Sequence, residues 1–190
     1  LAPMERKSRR EAMHDPVQHA RTFAIQAHGD QRYGAHPYHV HLDAVAALLE
    51  PWGESACVIG YLHDVIEDTE VEHADLVARF GSEVADCVAL LTDVLDSKGK
   101  ADKPATYARM AEAGPELHLA LLAKTADRYA NVRASLDDGN IRKLQKYTRQ
   151  HAVFREAAHR PGLCDALWAQ LDAAIEEARA VLAHNGLPAG

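Results

Sequence analysis

Tyr61-Leu62-His63-Asp64-Val65-Ile66-Glu67-Asp68 is an apolar stretch into which a His-Asp doublet is set, followed one turn later by a Glu-Asp doublet. The flanking pattern predicts a single helix from Glu54 to Asp68, with Val58, Ile59, Leu62, Val65 and Ile66 on its apolar side. Residues four apart on a helix share a face, which sets Glu67 beside His63 and Asp68 beside Asp64. Three carboxylates and an imidazole this close repel one another and are costly to bury. A divalent cation resolves the conflict, because it binds neutral imidazole and carboxylate oxygen together.

On the N-terminal side, a second apolar helix begins near Pro37-Tyr38 and is ended by Pro51 and Gly53. His41 lies one turn before Val45 on its apolar face. A histidine so placed is ordinarily a hydrogen-bonded core residue, but a neighbouring helix in need of a metal partner makes it a candidate ligand. The segment His28 to Tyr38 reads as a loop too polar for a mere hairpin, punctuated by Gly29, Gly34 and Pro37, that carries Arg32 on irregular, exposed backbone. Before it, Asp15-Pro16 reads as the N-cap and first position of a helix that stops at His28-Gly29. Residues 1–13 hold Arg6, Lys7, Arg9 and Arg10 and are expected to be a disordered tail extraneous to a single domain over residues 14–187.

On the C-terminal side, Thr69 is expected to cap a helix that ends at Gly81, and Ser82 opens another that runs through Leu91. Asp93 to Pro104 forms a long polar loop carrying Lys98, Lys100 and Lys103. In a net-acidic chain that local positive charge suggests phosphate handling, and a plain solvated loop is an equal alternative. A long helix from Glu116 to Asp137 is apolar at first and then reads Lys124-Thr125-Ala126-Asp127-Arg128-Tyr129-Ala130-Asn131. Asp127 and Asn131 share a face, with Lys124 close to it. A charge that follows so apolar a run enters the interior and needs a partner there. A metal ion facing it is one. The segments Ile141–Ala158 and Leu163–His184 read as amphipathic packing helices, on which a homo-oligomer is left open. Tyr147, His151, His159, Trp168 and His184 show no paired spacing and receive no chemistry.

Composition narrows the class. The chain has 190 residues, 47% of them hydrophobic, and a formal net charge of −7. That length suits one domain with a substantial core, and the charge gives no support to nucleic-acid or membrane-surface binding. No apolar run reaches the ~18 residues of a membrane span, and no signal peptide is expected. Cys57, Cys87 and Cys164 are far apart within apolar patterns and read as reduced core residues of a cytoplasmic protein.

His41, His63-Asp64 and Asp127 together resemble the ligand set of the HD-domain metal phosphohydrolases. The resemblance implies an all-α fold, a helical bundle around a single divalent ion. Within that superfamily, His63-Asp64-x-x-Glu67-Asp68 resembles the HD-x-x-ED motif of the alarmone hydrolase domain of RelA/SpoT proteins. Lys124-x-x-Asp127-Arg128-x-x-Asn131-x-Arg133 resembles the second motif of that family, and Gln31-Arg32 with Pro37-Tyr38-x-x-His41 follows its first loop. The resemblance covers residues 15–160. Without room for synthetase and regulatory domains, the chain is similar to the small stand-alone alarmone hydrolases, such as the metazoan SpoT homologue.

The resemblance implies that His41, His63, Asp64 and Asp127 bind Mn2+, and that Glu67 and Asp68 orient and deprotonate the attacking water. It implies further that Asn131 contacts the nucleotide sugar and Arg32 the base or a phosphate. The loop lysines Lys98 and Lys100, with Lys124 and Arg128 of the long helix, are expected to meet the substrate and neutralise charge on the leaving pyrophosphate. The reaction implied removes the 3′-pyrophosphate of (p)ppGpp, a small-molecule alarmone of the stringent response. Two departures from the family form stand out. The first loop is one residue shorter, with Tyr33 where an Arg-Lys pair continues, and Leu42 replaces the proline that follows the ligand histidine. They leave guanine or adenine preference open. The alternatives are hydrolysis of another nucleotide, pppApp or a 5′-nucleotide, and a nucleotide sensor without turnover. The Glu67-Asp68 pair argues against the sensor, which has no use for it.

Overall fold

The computed structural model describes residues 15–188, so the basic tail expected over residues 1–13 lies outside the described residues. The chain divides into two compact units, one up to Ala89 and one from Leu90. Both are helical. Among the described residues the only named strands are two of two residues each.

In the first unit, α1 spans Pro16–His28. As the sequence predicts, the Asp15 carboxylate accepts from the Val17 and Gln18 amides, and Pro16 occupies the first turn, where it sacrifices no helical hydrogen bond. Gly29, with φ of 52°, releases the chain from α1. The expected loop is in fact a small antiparallel hairpin, β1 (Arg32–Tyr33) paired with β2 (His36–Pro37). Four residues are too few for period-2 patterning, so turn chemistry hid the pairing. Then come α2 (His39–Leu49), a 3₁₀ turn (Glu50–Trp52), α3 (Glu54–Leu62) and the single-turn α4 (Val65–Asp68). The unit closes with α5 (His73–Phe80) and α6 (Ser82–Leu91), whose last turn crosses the division.

The core of this unit joins Ala20 and Ala24 of α1, Leu42 and Ala46 of α2, and Val58, Tyr61 and Leu62 of α3, with Val65, Leu76, Ala85 and Val88. Leu42, which departs from the family form, is one of its fully buried side chains. Helices α2 and α3 approach closely because Gly60 has no side chain: a Cβ there would lie 2.6 Å from Leu49 Cδ1 and 3.4 Å from the Ala46 Cα. That approach brings the helices of His41 and His63 together. Thr69 does not cap α5. Its hydroxyl donates back to the Val65 carbonyl and accepts from the Val71 amide, and Glu72 with Asp75 forms the capping box instead.

The second unit contains α7 (Lys103–Ala111), α8 (His118–Asp137), α9 (Ile141–Ala158) and α10 (Asp165–His184). Asp102 caps α7 and Asn140 caps α9 through their side chains. Lys103, expected in the loop, opens α7 and pairs with the buried Asp93 carboxylate. Helix α8 packs on α9 and α10, and α7 on α9. Trp168 and Phe154 are fully buried with ring centroids 5.4 Å apart, and Leu144, Ala178 and Leu182 form a further cluster. All three cysteines are buried and free. No helix among the described residues is long and apolar enough to cross a membrane.

Candidate metal centre

The helix expected across Glu54–Asp68 is broken where the chemistry sits. Helix α3 stops at Leu62, and Asp64, at φ −108° and ψ 0°, occupies the bridge region before α4 begins. On an unbroken helix, adjacent side chains diverge by about 100°. The turn instead brings His63 Nε2 within 2.8 Å of Asp64 Oδ2. His41, in the first turn of α2, places its Nε2 3.3 Å from His63 Nε2 and 3.9 Å from the same Asp64 oxygen. Both rings are buried, His41 at 2% exposure and His63 at 1%. One donor atom from each of the three lies within 4.8 Å of the others.

The protons show what this arrangement needs. His63 Nδ1 lies 2.6 Å from the Gly60 carbonyl, which only accepts, so the ring proton is on Nδ1. Nε2 then faces a carboxylate oxygen at 2.8 Å. That contact is satisfied by a proton on Nε2 or by a metal ion between the two atoms, and two imidazoles with a carboxylate are a donor set suited to a divalent transition ion. The Gly60 carbonyl fixes the ring orientation in the way that groups behind metal-ligating histidines commonly do. The residues present fit a divalent metal.

Aromatic and amide groups brace this cluster. The Tyr38 hydroxyl donates to Asp64 Oδ2. The Tyr33 ring stacks on His41 at 4.6 Å between centroids and 17° between planes. Gln31 donates from Nε2 to Asp68 Oδ2 at 2.8 Å, and His28 Nδ1 lies 2.8 Å from Gln31 Oε1. Asp68, at the end of α4, is exposed and takes its backbone hydrogen bond from N–H to the Asp64 carbonyl at 2.9 Å. Glu67 is exposed on the same turn.

A second polar cluster ties the same helices together. Arg21 of α1 grips Asp43 of α2 with two hydrogen bonds, at 2.7 and 2.9 Å, and the Tyr61 hydroxyl of α3 donates to Asp43 at 3.0 Å. The Arg21 guanidinium holds the Asp43 carboxyl below its ordinary pKa. Burial first, and the bond to Asp43 next, push the Tyr61 phenol up to about 12. This network fixes α2 against α3 from the turn next to the His41, His63 and Asp64 cluster.

In the second unit, α8 carries the other predicted residues. Asp127 is buried; its carboxylate lies 3.3 Å from Lys124 Nζ and accepts from the Asn131 amide. Arg128 is buried too, with its guanidinium on the Tyr107 hydroxyl at 2.9 Å and Gln150 at 3.2 Å. The Tyr147 and Phe154 rings lie 5.0 and 4.5 Å from its carbon. Lys146 Nζ lies 5.5 Å from the same Tyr147 ring. Lost hydration first, then Lys103 and Arg128, lower the Lys146 pKa.

A model of the HD domain family matches residues 20–173. This chain belongs to the HD domain family. Among relatives of this HD domain is a guanosine-3′,5′-bis(diphosphate) 3′-pyrophosphohydrolase of Aquifex aeolicus, 30% identical over 154 residues, or 78% of this chain and 22% of the relative. The bifunctional (p)ppGpp synthase/hydrolase SpoT of Escherichia coli is 31% identical over 155 residues, 77% of this chain and 22% of its own length. The chain thus spans about a fifth of the length of these curated relatives. Its fold is similar to that of a metazoan orthologue of SpoT described as hydrolysing ppGpp, with a TM-score of 0.63 at 22% identity, covering 85% of this chain and 94% of that one.

Of the residues singled out in the sequence of this HD domain, the first unit brings His41, His63 and Asp64 into one cluster, with Asp68 a short helix away. The second unit groups Lys124, Asp127 and Asn131. Arg32 is exposed and folds its guanidinium back onto the Ala35 carbonyl across the hairpin turn. Lys98 and Lys100 are exposed, and their backbone amides both donate to Asp96 Oδ1. His28, Gln31 and Lys146 carried no predicted role. Gln31 stands in the first-loop pattern of the sequence and His28 lies three residues before it; Lys146 left no signal.

Proposed function

We propose that this HD domain hydrolyses the 3′-pyrophosphate of (p)ppGpp-type alarmones with one bound divalent ion, taken to be Mn2+, giving GDP or GTP and pyrophosphate. The observation that carries the reading is the convergence of His41 Nε2, His63 Nε2 and Asp64 Oδ2, with the carboxylate of Asp68 on the following turn. The names of the relatives, hydrolases of the same phosphoric ester, favour this substrate over other nucleotides. Three buried, free cysteines suit a reducing, cytoplasmic setting.

In this reading His41, His63 and Asp64 hold the ion, with Asp127 as the fourth ligand. When bound, the ion acts as a Lewis acid and lowers the pKa of a water. Glu67 and Asp68 together orient that water and take its proton. The water oxygen bonds to the phosphorus attached to the ribose 3′ oxygen, and the bond from phosphorus to that oxygen breaks. The 3′ oxygen takes up a proton and becomes the hydroxyl of GDP or GTP, and pyrophosphate departs. Asn131 contacts the sugar, Arg32 the base or a phosphate, and Lys98, Lys100, Lys124 and Arg128 supply positive charge toward the pyrophosphate. Arg128, held between two rings, does so as a fixed charge.

The test is a substrate panel on Mn2+-loaded protein: ppGpp, pppApp and 5′-nucleotides, with products identified. Pyrophosphate and GDP from ppGpp are expected. Orthophosphate released from 5′-nucleotides alone would overturn the proposal, and turnover of pppApp alone would move it to the adenine alarmone.

A further inference from the structure

Asp68 sits on a helix of one turn and is exposed, so its own backbone does little to hold its carboxylate in one rotamer. Gln31, 37 residues away, donates to its Oδ2 at 2.8 Å. An amide can do this from only one of its two ends, since turning it over would set Oε1 against the carboxylate. The direction of the amide therefore has to be decided by something else.

His28 decides it. Its Nε2 is buried with no hydrogen-bond partner among the described residues, so the ring has nothing to receive a proton there. The ring proton is accordingly on Nδ1, 2.8 Å from Gln31 Oε1, where it can only donate. Oε1 is thereby turned toward His28 and Nε2 toward Asp68. The ring of His28 is held in turn by the Tyr38 ring, 4.5 Å between centroids. The backbone of Gln31 is fixed from both sides, its N–H on the His28 carbonyl at 3.0 Å and its carbonyl accepting from the Tyr38 N–H at 3.1 Å. The positive φ of Gly29 makes the tight turn that lets His28 and Gln31 meet.

We propose that Gln31 is a positioning residue for Asp68, its amide aimed by His28 so that Oδ2 is occupied and Oδ1 is left toward the attacking water. The proposal rests on the reading of Asp68 as the water-activating carboxylate and adds what holds that carboxylate in place. Tyr38, which packs on His28 and donates to Asp64, joins this chain of contacts to the metal ligands. One hairpin entry thus sets both the ligand carboxylate and the proton-accepting one.

Two measurements test it. The first is a double-mutant cycle on the Mn2+-loaded protein, using whichever nucleotide of the panel is turned over. Gln31→Ala should lower kcat about tenfold, with KM within about twofold and Mn2+ affinity unchanged. In the Asp68→Asn background the same substitution should have no further effect on kcat, because residues acting through one another are non-additive. An equal loss in both backgrounds, or a loss of Mn2+ affinity in place of kcat, would overturn the proposal. The second is the side-chain amide signal of Gln31 in 1H–15N spectra of metal-free protein. It should lie away from the positions of free glutamines and move in both His28→Ala and Asp68→Asn. A signal at the free position, unmoved in both, overturns the geometry whatever the substrate. If the wild type turns over no nucleotide on the panel, the functional reading fails and the amide signal alone decides whether Gln31 holds Asp68.

Discussion

Two polar clusters lie side by side, two residues apart along α2 and along the end of α3, and they are opposite in kind. Asp43 and Tyr61 meet Arg21, so the carboxylate has its cation within the chain and the phenol has its acceptor. His41, His63 and Asp64 meet one another and bring two ring nitrogens and a carboxylate oxygen to the same point. The first cluster is closed and holds helices together. The second is open in kind, a set of two imidazoles and a carboxylate whose donor atoms lie within 4.8 Å of one another. Function is legible in that difference, because an arginine-carboxylate-phenol cluster serves packing, whereas two imidazoles with a carboxylate are a donor set suited to a divalent ion.

The largest effects should come from removing the open cluster. Asp64→Ala or His63→Ala should cost Mn2+ affinity at least about 100-fold, since even residues behind metal ligands are commonly worth 10–100-fold. Wild-type protein at about 100 times Kd should gain about 2.7 kcal/mol of stability from Mn2+, and both variants should lose that gain in thermal unfolding. If Asp43→Asn lost it equally, the distinction between the clusters would fail. Next in size is the double variant Glu67→Gln, Asp68→Asn, expected to lower kcat by ~10²–10⁴-fold while Mn2+ still binds. Unchanged turnover would remove these two residues from the mechanism.

Smaller effects sharpen the contrast. Tyr38→Phe should weaken Mn2+ binding by about tenfold through the lost hydrogen bond to Asp64, read by calorimetric titration, with stability of the metal-free protein little altered. Asp43→Asn should do the reverse: unfolding stability falls by about 1 kcal/mol, the scale of a half-exposed ion pair screened by water, and metal affinity holds. The pH dependence has a definite sign. The Asp43 pKa is lowered from its ordinary 3.8 by Arg21, so its contribution is complete above that value and fades as pH falls through the lowered one. Denaturant midpoints of wild type and Asp43→Asn should therefore converge in acid. A gap between them that widened as pH fell would contradict the assignment.

The helices and the His-Asp doublet were plain in the sequence because they rest on long apolar periodicity and on residue types with few other uses at that spacing. Ile141–Ala158 has the bounds that its pattern predicts. What stayed hidden depends on short-range backbone geometry. The interruption at His63-Asp64 leaves no glycine or proline as a mark, yet it is what turns both side chains to one point. The hairpin at Arg32–Pro37 is too short for a pattern, and with it went the meeting of His28, Gln31 and Asp68. Tyr33, a departure from the family form at the sequence level, is seen to stack on the candidate ligand His41. Lys103 and Arg128 were read as positive charge, and the structure adds what each is tied to: Asp93 for one, and Tyr107, Gln150 and two rings for the other.

The central claim is that the open cluster is a metal site, and anomalous X-ray scattering from crystals soaked in Mn2+ tests it most directly. The account predicts one strong peak per chain within bonding distance of His41 Nε2, His63 Nε2 and Asp64 Oδ2. No peak there, with Mn2+ bound elsewhere or not at all, would contradict it.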